Sequence, residues 1–291
     1  MEKLRNWSNS EYINTYFIDS KKTIKTNLIN VALEKSLYKL EKLSDLEKQQ
    51  IEFLLNDHCE KAVIPAAKEL LKCFYLYTDF SQKTFYDLNK SDEFLNFIKH
   101  NTIEEILTGF ESYGKNLISI QISTDLHFLQ DKKKLSITLL FLSTQYTRTK
   151  NIKDKLNNSL RKYELIYNEK FWIFMSFMYA LNLTYFLTEK FKSKIIVYNN
   201  ISDLNFITSD QPAFNSNQEN KDDNGHVSGF DLFYAINPKV AIKFICNNDS
   251  ESFEIQNINK DEVIEINKLI FEFSYKNIFF LDENDIRNLS L

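Results

Sequence analysis

The sequence predicts an α+β fold in which a central helical block, about residues 44–190, packs on a small, mostly antiparallel sheet. The 291-residue chain has only 4 Gly and 3 Pro, so sharp turns are few and long helices are favoured over a many-stranded barrel. Helical periodicity dominates the middle of the chain, and β-type runs lie towards both ends. No internal repeat or low-complexity linker interrupts the chain, so we expect residues 1–291 to form a single domain.

The N-terminal segment has the pattern of a β-hairpin. Residues 15–18 and 23–26 are β-type runs, and the polar residues 19–22 between them are typical of a turn. A short hairpin is not stable alone, and the strands that follow Lys194 need partners. We therefore expect the hairpin and the C-terminal strands to form one sheet.

The helical block begins after Ser44, which has Glu47 three residues later, the spacing of a capping box. Pro65 either kinks this first helix or opens the next one. Gly114 is placed to end a later helix as its C-cap. Apolar residues at helical spacing predict helices at residues 66–77, 91–98, 102–115, 135–161 and 168–190.

The last of these helices carries no charge from residue 171 to residue 188, about the shortest length that could span a bilayer. It contains Ser176 and Asn182, and the charged residues on its two flanks show no sidedness. A helix that is apolar all round is also what the centre of a large domain requires. The sequence favours a buried core helix over a membrane span.

After Lys194 the pattern changes to short strands. A polar loop follows the second of them, and Asn237 and Pro238 predict a turn between the third and the fourth. The β-type runs are at residues 195–198, 204–207, 231–236, 240–245 and 278–281, with the loop at 215–229 and a final helix at 260–275.

Composition and charge exclude several classes of function. The net charge of −4 gives no broad basic field, so charge does not indicate nucleic-acid binding. No Gly-rich phosphate loop is present, and the 4 histidines lack the spacing of metal ligands. Three cysteines without a CxxC pair predict reduced thiols, and the N-terminus has no apolar leader. We expect a cytoplasmic protein with no membrane segment.

Two polar residues break the apolar stripe of the helix predicted at residues 135–161. Gln145 and Arg148 follow Phe141 at helical spacing and precede Ile152, so they lie on the face that these two residues bury. A buried arginine requires a counter-charge, because an isolated buried charge costs several kcal/mol. Arg148 is therefore expected to meet a carboxylate or an anionic ligand.

Asp210 is the carboxylate best placed to meet Arg148. It follows an apolar run and Ser209, and Pro212 ends the segment by forcing Gln211 into an extended conformation. Two interpretations are open: a functional site at a strand end, or a turn that Ser209 and Asp210 cap while Arg148 ties a helix to the sheet. If the pair is fully buried, Arg148→Ala should cost about 3–5 kcal/mol.

Four short motifs, in order along the chain, resemble the bacterial family known as domain of unknown function 4238. They are a Gln-x-x-Arg-Thr helix (Gln145, Arg148, Thr149), a Thr-Ser-Asp-x-Pro turn at residues 208–212, the turn at Pro238 and a helix asparagine, Asn267. The family has no established activity, but the resemblance groups Gln145, Arg148, Thr149, Ser209 and Asp210 as one candidate site. The family usually opens with His-Tyr-Val-Pro, whereas the nearest stretch here has Glu11 for the histidine and Asn14 for the proline. Two interpretations are open: this chain has diverged at that segment, or it lacks the segment.

Two hypotheses follow for function. In the first, the protein is a bacterial enzyme, such as a nuclease of phage defence or of a toxin-like system, that acts on a phosphate-containing substrate. Arg148 would bind phosphate oxygens, Asp210 would act as the base or hold a divalent metal ion, and Gln145, Ser209 and Thr149 would bind the substrate. In the second, the chain is a non-catalytic module that binds a protein partner or a second copy of itself, and the Arg148 network is structural.

Overall fold

The computed structural model of the protein has the α+β class that the sequence predicts. The structure describes residues 2–9, 11–32, 43–86, 108–162, 171–190, 192–218, 229–246 and 250–289. The α-helices are α1 (Leu28–Ala32), α2 (Asp45–His58), α3 (Ile64–Tyr86), α4 (Lys115–Ile118), α5 (Lys132–Thr147), α6 (Lys150–Lys162), α7 (Trp172–Tyr185) and α8 (Lys260–Phe273). Residues 108–112 are also helical.

The strands form two sheets. They are β1 (Ser8–Asn9), β2 (Tyr12–Phe17), β3 (Lys22–Asn27), β4 (Ser193–Asn200), β5 (Thr208–Ser209), β6 (Ala213–Asn215), β7 (Asp231–Asn237), β8 (Val240–Cys246), β9 (Ser252–Ile258) and β10 (Asn277–Phe280). In the first sheet β2 pairs with β3, β1 and β10, and β10 pairs with β5, all antiparallel. The second sheet has the order β6-β7-β8-β4-β9 and is antiparallel except for the parallel pair β4–β9.

The hairpin forms and shares a sheet with C-terminal strands, but these are only β5 and β10. The single sheet expected from the sequence is in fact two. Every residue of β7 is buried, so both faces of the second sheet are covered. The first sheet and α8 cover one face, and helices cover the other. Strand β9, which was not predicted, extends the second sheet at its edge.

The alternation of side chains in β7 shows the layers. Phe233 and Ala235 belong to a core with Ile13, Phe279 and Ile270, which joins both sheets to α8. Leu232, Tyr234 and Ile236 point to the opposite face, where they form a second core with residues of α5 such as Leu139, Phe141 and Leu142. A third core joins the helices α2, α3 and α7. The second sheet is therefore the middle layer of the molecule.

The sequence predicts a single helix over residues 135–161, and the structure divides it in two. Helix α5 ends at Thr147, Arg148 is its C-cap with φ −85° and ψ 12°, and α6 begins at Lys150. The hydroxyl of Thr149 accepts a hydrogen bond from the N–H of Ile152, as an N-cap side chain does for a new helix. Arg148 therefore lies at a helix end rather than on a continuous stripe.

The first half of helix α7 is buried in the core, as the sequence favours, whereas its second half is mostly half-buried. Every residue from Phe171 to Met178 is buried, and α7 packs against α5 and α3. In the described part of the chain no helix combines the length and apolar character needed to cross a bilayer.

Other local predictions have mixed outcomes. The capping box at Ser44 and Glu47 is confirmed at the start of α2, and the turn at Pro238 joins β7 to β8. The prediction that Gly114 is a helix C-cap was wrong, since Gly114, with a φ of −85°, is the N-cap residue of α4. A Cβ atom there would lie 2.5 Å from the ring of Phe141, so close packing requires this glycine. The helix predicted at residues 91–98 lies outside the described residues.

Candidate functional site

The end of α5 holds Arg148 in a mostly buried position. Its side chain is 11 % exposed, and its guanidinium Nη2 lies 3.7 Å from Oε1 of Glu111. A positive charge is favourable at a helix C-terminus, where the helix dipole is negative. The distance to Glu111 is longer than a hydrogen bond, and the Glu111 side chain is 47 % exposed. The ion pair is therefore loose and open to solvent on the carboxylate side.

Glu111 reaches Arg148 from the helical segment 108–112. The neighbouring Phe110 packs on Phe177 of α7, with ring centroids 4.6 Å apart. Helix α7 is in turn fixed to α5, because the hydroxyl of Thr147 donates a hydrogen bond of 2.9 Å to the carbonyl of Ser176. Arg148 and Glu111 thus come together where α5, α7 and residues 108–112 meet.

Tyr234 of β7 lies under this junction. Its ring packs edge-on against Phe141 at 6.2 Å, and Phe141 fills the space beside Gly114. Burial, and secondly the negative charge of Glu111, raise the pKa of Tyr234, so the phenol stays protonated. The electrostatic effect of Glu111 on Tyr234 places both groups in one neighbourhood with Arg148.

Gln211 connects the end of α5 to the turn at residues 209–211. The hydroxyl of Thr149 donates a hydrogen bond to Oε1 of Gln211. Nε2 of Gln211 donates to the carbonyl oxygens of Ala213 and Tyr146, at 2.7 and 3.4 Å. The two motifs singled out in the sequence are therefore neighbours, and the link between them is Thr149–Gln211.

Asp210 holds the turn that leads from α8 into β10. Its Oδ1 accepts a hydrogen bond from the N–H of Tyr275, and its Oδ2 accepts from Lys276 and Asn277, at distances of 2.9 to 3.1 Å. Burial raises the pKa of Asp210 to about 6, although the three N–H donors favour the charged form and oppose this shift. The carboxylate is nevertheless mostly ionised at neutral pH.

The expected contact between Arg148 and Asp210 does not form in the structure. Among the described residues, the carboxylate that contacts Arg148 is that of Glu111, and Asp210 is bound to main-chain N–H groups. The reason is the break after Thr147, which places Arg148 at a helix end near residues 108–112. Glu111 could not be found from sequence, since one acidic residue on a polar helix face has no distinguishing pattern.

The remaining predicted site residues differ in their surroundings. Ser209 is buried, and its hydroxyl donates to the carbonyl of Gln211 and accepts from the N–H of the same residue. Ser209 and Thr149 therefore stabilise the turn and its contact with α5. Gln145 is half-buried, and no residue within the described ranges hydrogen-bonds its amide. Of the substrate-binding residues predicted from sequence, Gln145 has the most freedom to contact a ligand.

A metal centre has no support in these surroundings. The described residues contain no group of three or more His, Cys, Asp or Glu side chains that could hold a metal ion. The chemistry available near Arg148 is hydrogen bonding and charge, supplied by a guanidinium, a side-chain amide and a buried phenol.

The chain belongs to a family described as protein of unknown function DUF4238, whose model matches residues 3–284. The match covers both sheets, the helices between them and all five residues predicted for the site. No curated protein and no solved structure matches the chain.

Proposed function

We propose that the protein is an enzyme that binds a phosphate-containing substrate, a nucleotide or a nucleic acid, at the end of α5. The observation that carries the proposal is the position of Arg148, which is mostly buried at the end of α5 and contacts the half-exposed carboxylate of Glu111 at 3.7 Å. A contact of this length is weaker than a close, bidentate arginine–carboxylate pair. The Glu111 carboxylate is therefore a counter-charge that an anionic ligand can displace.

Phosphate suits this position for geometric and electrostatic reasons. A guanidinium binds two phosphate oxygens at once, and such charge-assisted pairs are shorter and stronger than the contact with Glu111. Gln145, one turn of helix before Arg148 and half-buried, can donate to the same ligand from its amide. Low exposure of Arg148 strengthens both interactions, because the local dielectric constant is lower than that of water.

In this proposal Asp210 holds its turn and also acts as the general base, because its Oδ1, which accepts the N–H of Tyr275, has a second lone pair for a proton. Its pKa of about 6 is close to neutral pH, which is the range in which a carboxylate accepts a proton most effectively during catalysis. Gln211 connects the Asp210 turn to the end of α5 through Thr149, so the base and the phosphate-binding residue belong to adjoining segments. A divalent ion would then be bound by the substrate phosphates rather than by a cluster of protein ligands.

Turnover assays test the proposal directly. Purified wild-type protein is incubated with ATP, GTP, single-stranded RNA and duplex DNA, with and without Mg²⁺, and products are separated by chromatography. For the substrate that is turned over, Arg148→Ala should lower kcat/KM about 100-fold, because a bidentate bond to a charged group is lost. The matched control is Arg287→Ala, at an exposed arginine. Equal activity of the two variants would contradict the proposal. A nuclease of phage defence or of a toxin-like system would in addition arrest bacterial growth when it is expressed.

One observation favours a second candidate, a non-catalytic module that binds a protein partner or a second copy of the chain. Ser209, Asp210 and Thr149 are all hydrogen-bonded within the chain itself, as scaffold residues are. This function would be supported by a complete lack of turnover together with a large loss of stability in Arg148→Ala. Light scattering over a range of protein concentrations would then show whether the partner is a second copy.

A further inference from the structure

The strands at the ends of the two sheets differ in how they are protected against pairing with another chain. A strand at the end of a sheet exposes a row of backbone N–H and C=O groups, and proteins block such rows with short strands, lysine, proline or bulges. Strands β1, β5 and β6 are two or three residues long. Strand β3 is longer, but it carries the exposed Lys22 and Lys25. Each of these strands therefore has one of the usual protections.

Strand β9 has none of them. It lies at the end of the second sheet and pairs with β4 residue by residue over its full length of 7 residues. In the described part of the chain no strand pairs with its outer edge. Its sequence, Ser-Phe-Glu-Ile-Gln-Asn-Ile, contains no lysine and no proline, and its one charged side chain, Glu254, is paired with Lys194 of β4 at 2.8 Å. An edge of this kind is a template for another strand.

The direction of the backbone groups of β9 follows from its last residue. The carbonyl of Ile258 accepts a hydrogen bond from the N–H of Ile201, which directly follows β4. The N–H and C=O of one residue point to the same edge of a strand, and the edge alternates from each residue to the next. Every second residue before Ile258 therefore also bonds to β4, and the backbone groups of Phe253, Ile255 and Asn257 point to the open edge.

This edge is complementary to itself. If two copies of β9 run antiparallel about a twofold axis at Ile255, that residue lies opposite its own copy, and Phe253 lies opposite Asn257 of the partner subunit. All of these residues point their backbone groups to the open edge, and each such pair exchanges two hydrogen bonds. The same register places Glu254 opposite Gln256 of the partner subunit, and a glutamine amide donates to a carboxylate.

Charge also favours a second copy as the occupant of this edge. Each Glu254 has Lys194 of its own chain at 2.8 Å, so the two copies bring no uncompensated charges together. Pairing of β3 with its own copy would instead bring the lysines of that strand close to each other, and like charges on paired strands are destabilising. Of the two long end strands, only β9 can pair with itself at no electrostatic cost.

We infer that β9 is a homodimer interface, at which the second sheets of two copies join into one continuous sheet across a twofold axis at Ile255. The inference does not depend on the binding of phosphate at the end of α5. A single pair of strands is a narrow contact, so we expect a dissociation constant on the order of 10 µM.

Analytical ultracentrifugation over a range of concentrations tests the interface with a matched pair of substitutions. Asn257→Pro removes an N–H from the open edge and should raise the dissociation constant of the dimer more than about tenfold. Asn257→Ala loses the same side-chain bond from Asn199 but keeps the N–H, so it should dimerise as the wild type does. Because this N–H points away from β4, proline removes no bond of the β4–β9 ladder, and the two variants should melt at similar temperatures.

Amide hydrogen exchange of the wild type gives a second readout, which does not require either variant to fold. The amides of Phe253, Ile255 and Asn257 should exchange about fourfold more slowly at about 300 µM protein than at about 10 µM, because the monomer fraction falls by that factor. The amides of Glu254 and Gln256, which bond to β4, should change less. The alternation along the strand distinguishes edge pairing from a general gain in stability.

The outcomes separate this inference from the proposed function. A wild type that stays monomeric up to about 300 µM overturns the inference and leaves the edge of β9 to an extended segment of another protein. A dimer that Asn257→Pro forms as tightly as Asn257→Ala uses another surface, and this also overturns it. If Asn257→Pro does not fold, exchange decides: protection that rises with concentration at alternate residues of β9 supports the interface, and constant protection overturns it. Arg148→Ala should dimerise as the wild type does, so failure of the phosphate site leaves this test unchanged.

Discussion

The turn at residues 209–211 and the end of α5 adjoin each other, but their polar side chains differ in how tightly they are bonded to the protein. In the turn, Ser209, Asp210 and Gln211 all have hydrogen bonds to their own chain. At the end of α5, Arg148 has a long contact with a half-exposed carboxylate. The comparison separates residues that build the neighbourhood from residues that can exchange a protein partner for a ligand.

The largest expected effect is on stability in the turn. Asp210→Ala removes the acceptor of three main-chain N–H groups, so we expect a loss of about 3 kcal/mol in the free energy of unfolding. Urea denaturation measures it. The control is Asp203→Ala, because the Asp203 side chain is 80 % exposed and its contact with Lys260 is 3.8 Å long. That change should cost less than about 0.5 kcal/mol. Equal losses in the two variants would show that Asp210 has no scaffold role.

The pH dependence of stability provides the next effect. Since burial raises the pKa of Asp210 from 3.8 to about 6, the native state holds a proton that the unfolded chain has lost between these values. This group's contribution to stability is therefore full below pH 3.8 and falls, by up to about 3 kcal/mol, as the pH rises to about 6. Urea midpoints from pH 3.5 to 7 should show a fall that is absent in Asp210→Asn. The same fall in both proteins would assign it to another group.

Gly114→Ala tests the packing that supports the Arg148 side of the comparison. The added Cβ would lie 2.5 Å from the Phe141 ring, which packs on Tyr234, so we expect a loss of about 1–3 kcal/mol. Adding Phe141→Leu should recover part of this loss, because it removes the ring that the methyl group meets. The control is Gly109→Ala, where a Cβ would meet nothing within 4 Å. A fully stable Gly114→Ala would show that the Phe141 ring can move aside.

A double-mutant cycle measures the link between the two regions. Thr149→Val removes the donor to Gln211, and Gln211→Ala removes the acceptor together with two bonds to main-chain carbonyls. We expect a coupling energy of about 1 kcal/mol in urea denaturation. A coupling near zero would mean that the turn and the end of α5 are adjacent but energetically independent.

Much of the fold could be predicted because local patterns were strong. The capping box at Ser44, the turn at Pro238 and the uncharged core helix all depend on nearby residues, and all three formed. The division into two sheets could not be predicted, since it depends on which strands pair across the chain. The helix break after Thr147 could not be predicted because Arg148 and Thr149 are acceptable inside a helix, whereas the contact of Thr149 with Gln211 is visible only in the structure.

For the candidate site, too, local features could be predicted and contacts between distant residues could not. The sequence indicated that the segments with Arg148 and Asp210 belong together, because each had a polar residue in an apolar context. It named Asp210 as the partner of Arg148, whereas the carboxylate that contacts Arg148 in the described part of the chain is Glu111, from residues 108–112. Gln211 was passed over in favour of its charged neighbour, although its side chain makes the contact between the two segments.

The smallest effect on stability, and the sharpest test of the comparison, is expected from Glu111→Gln. Because the Glu111 side chain is half-exposed and 3.7 Å from Arg148, its charge should add no more than about 0.5 kcal/mol to the free energy of unfolding. Its removal takes the competing charge of Glu111 away from the guanidinium, so inorganic pyrophosphate should bind about threefold to tenfold more tightly. Calorimetry at low salt measures the change, with Glu69→Gln as the control, since Glu69 is exposed and pairs with Lys72 on the surface of α3. If Glu111→Gln instead weakened pyrophosphate binding, Glu111 would be holding Arg148 in its binding position. If it cost several kcal/mol of stability, the pair would be structural, and the end of α5 would belong with the turn as scaffold.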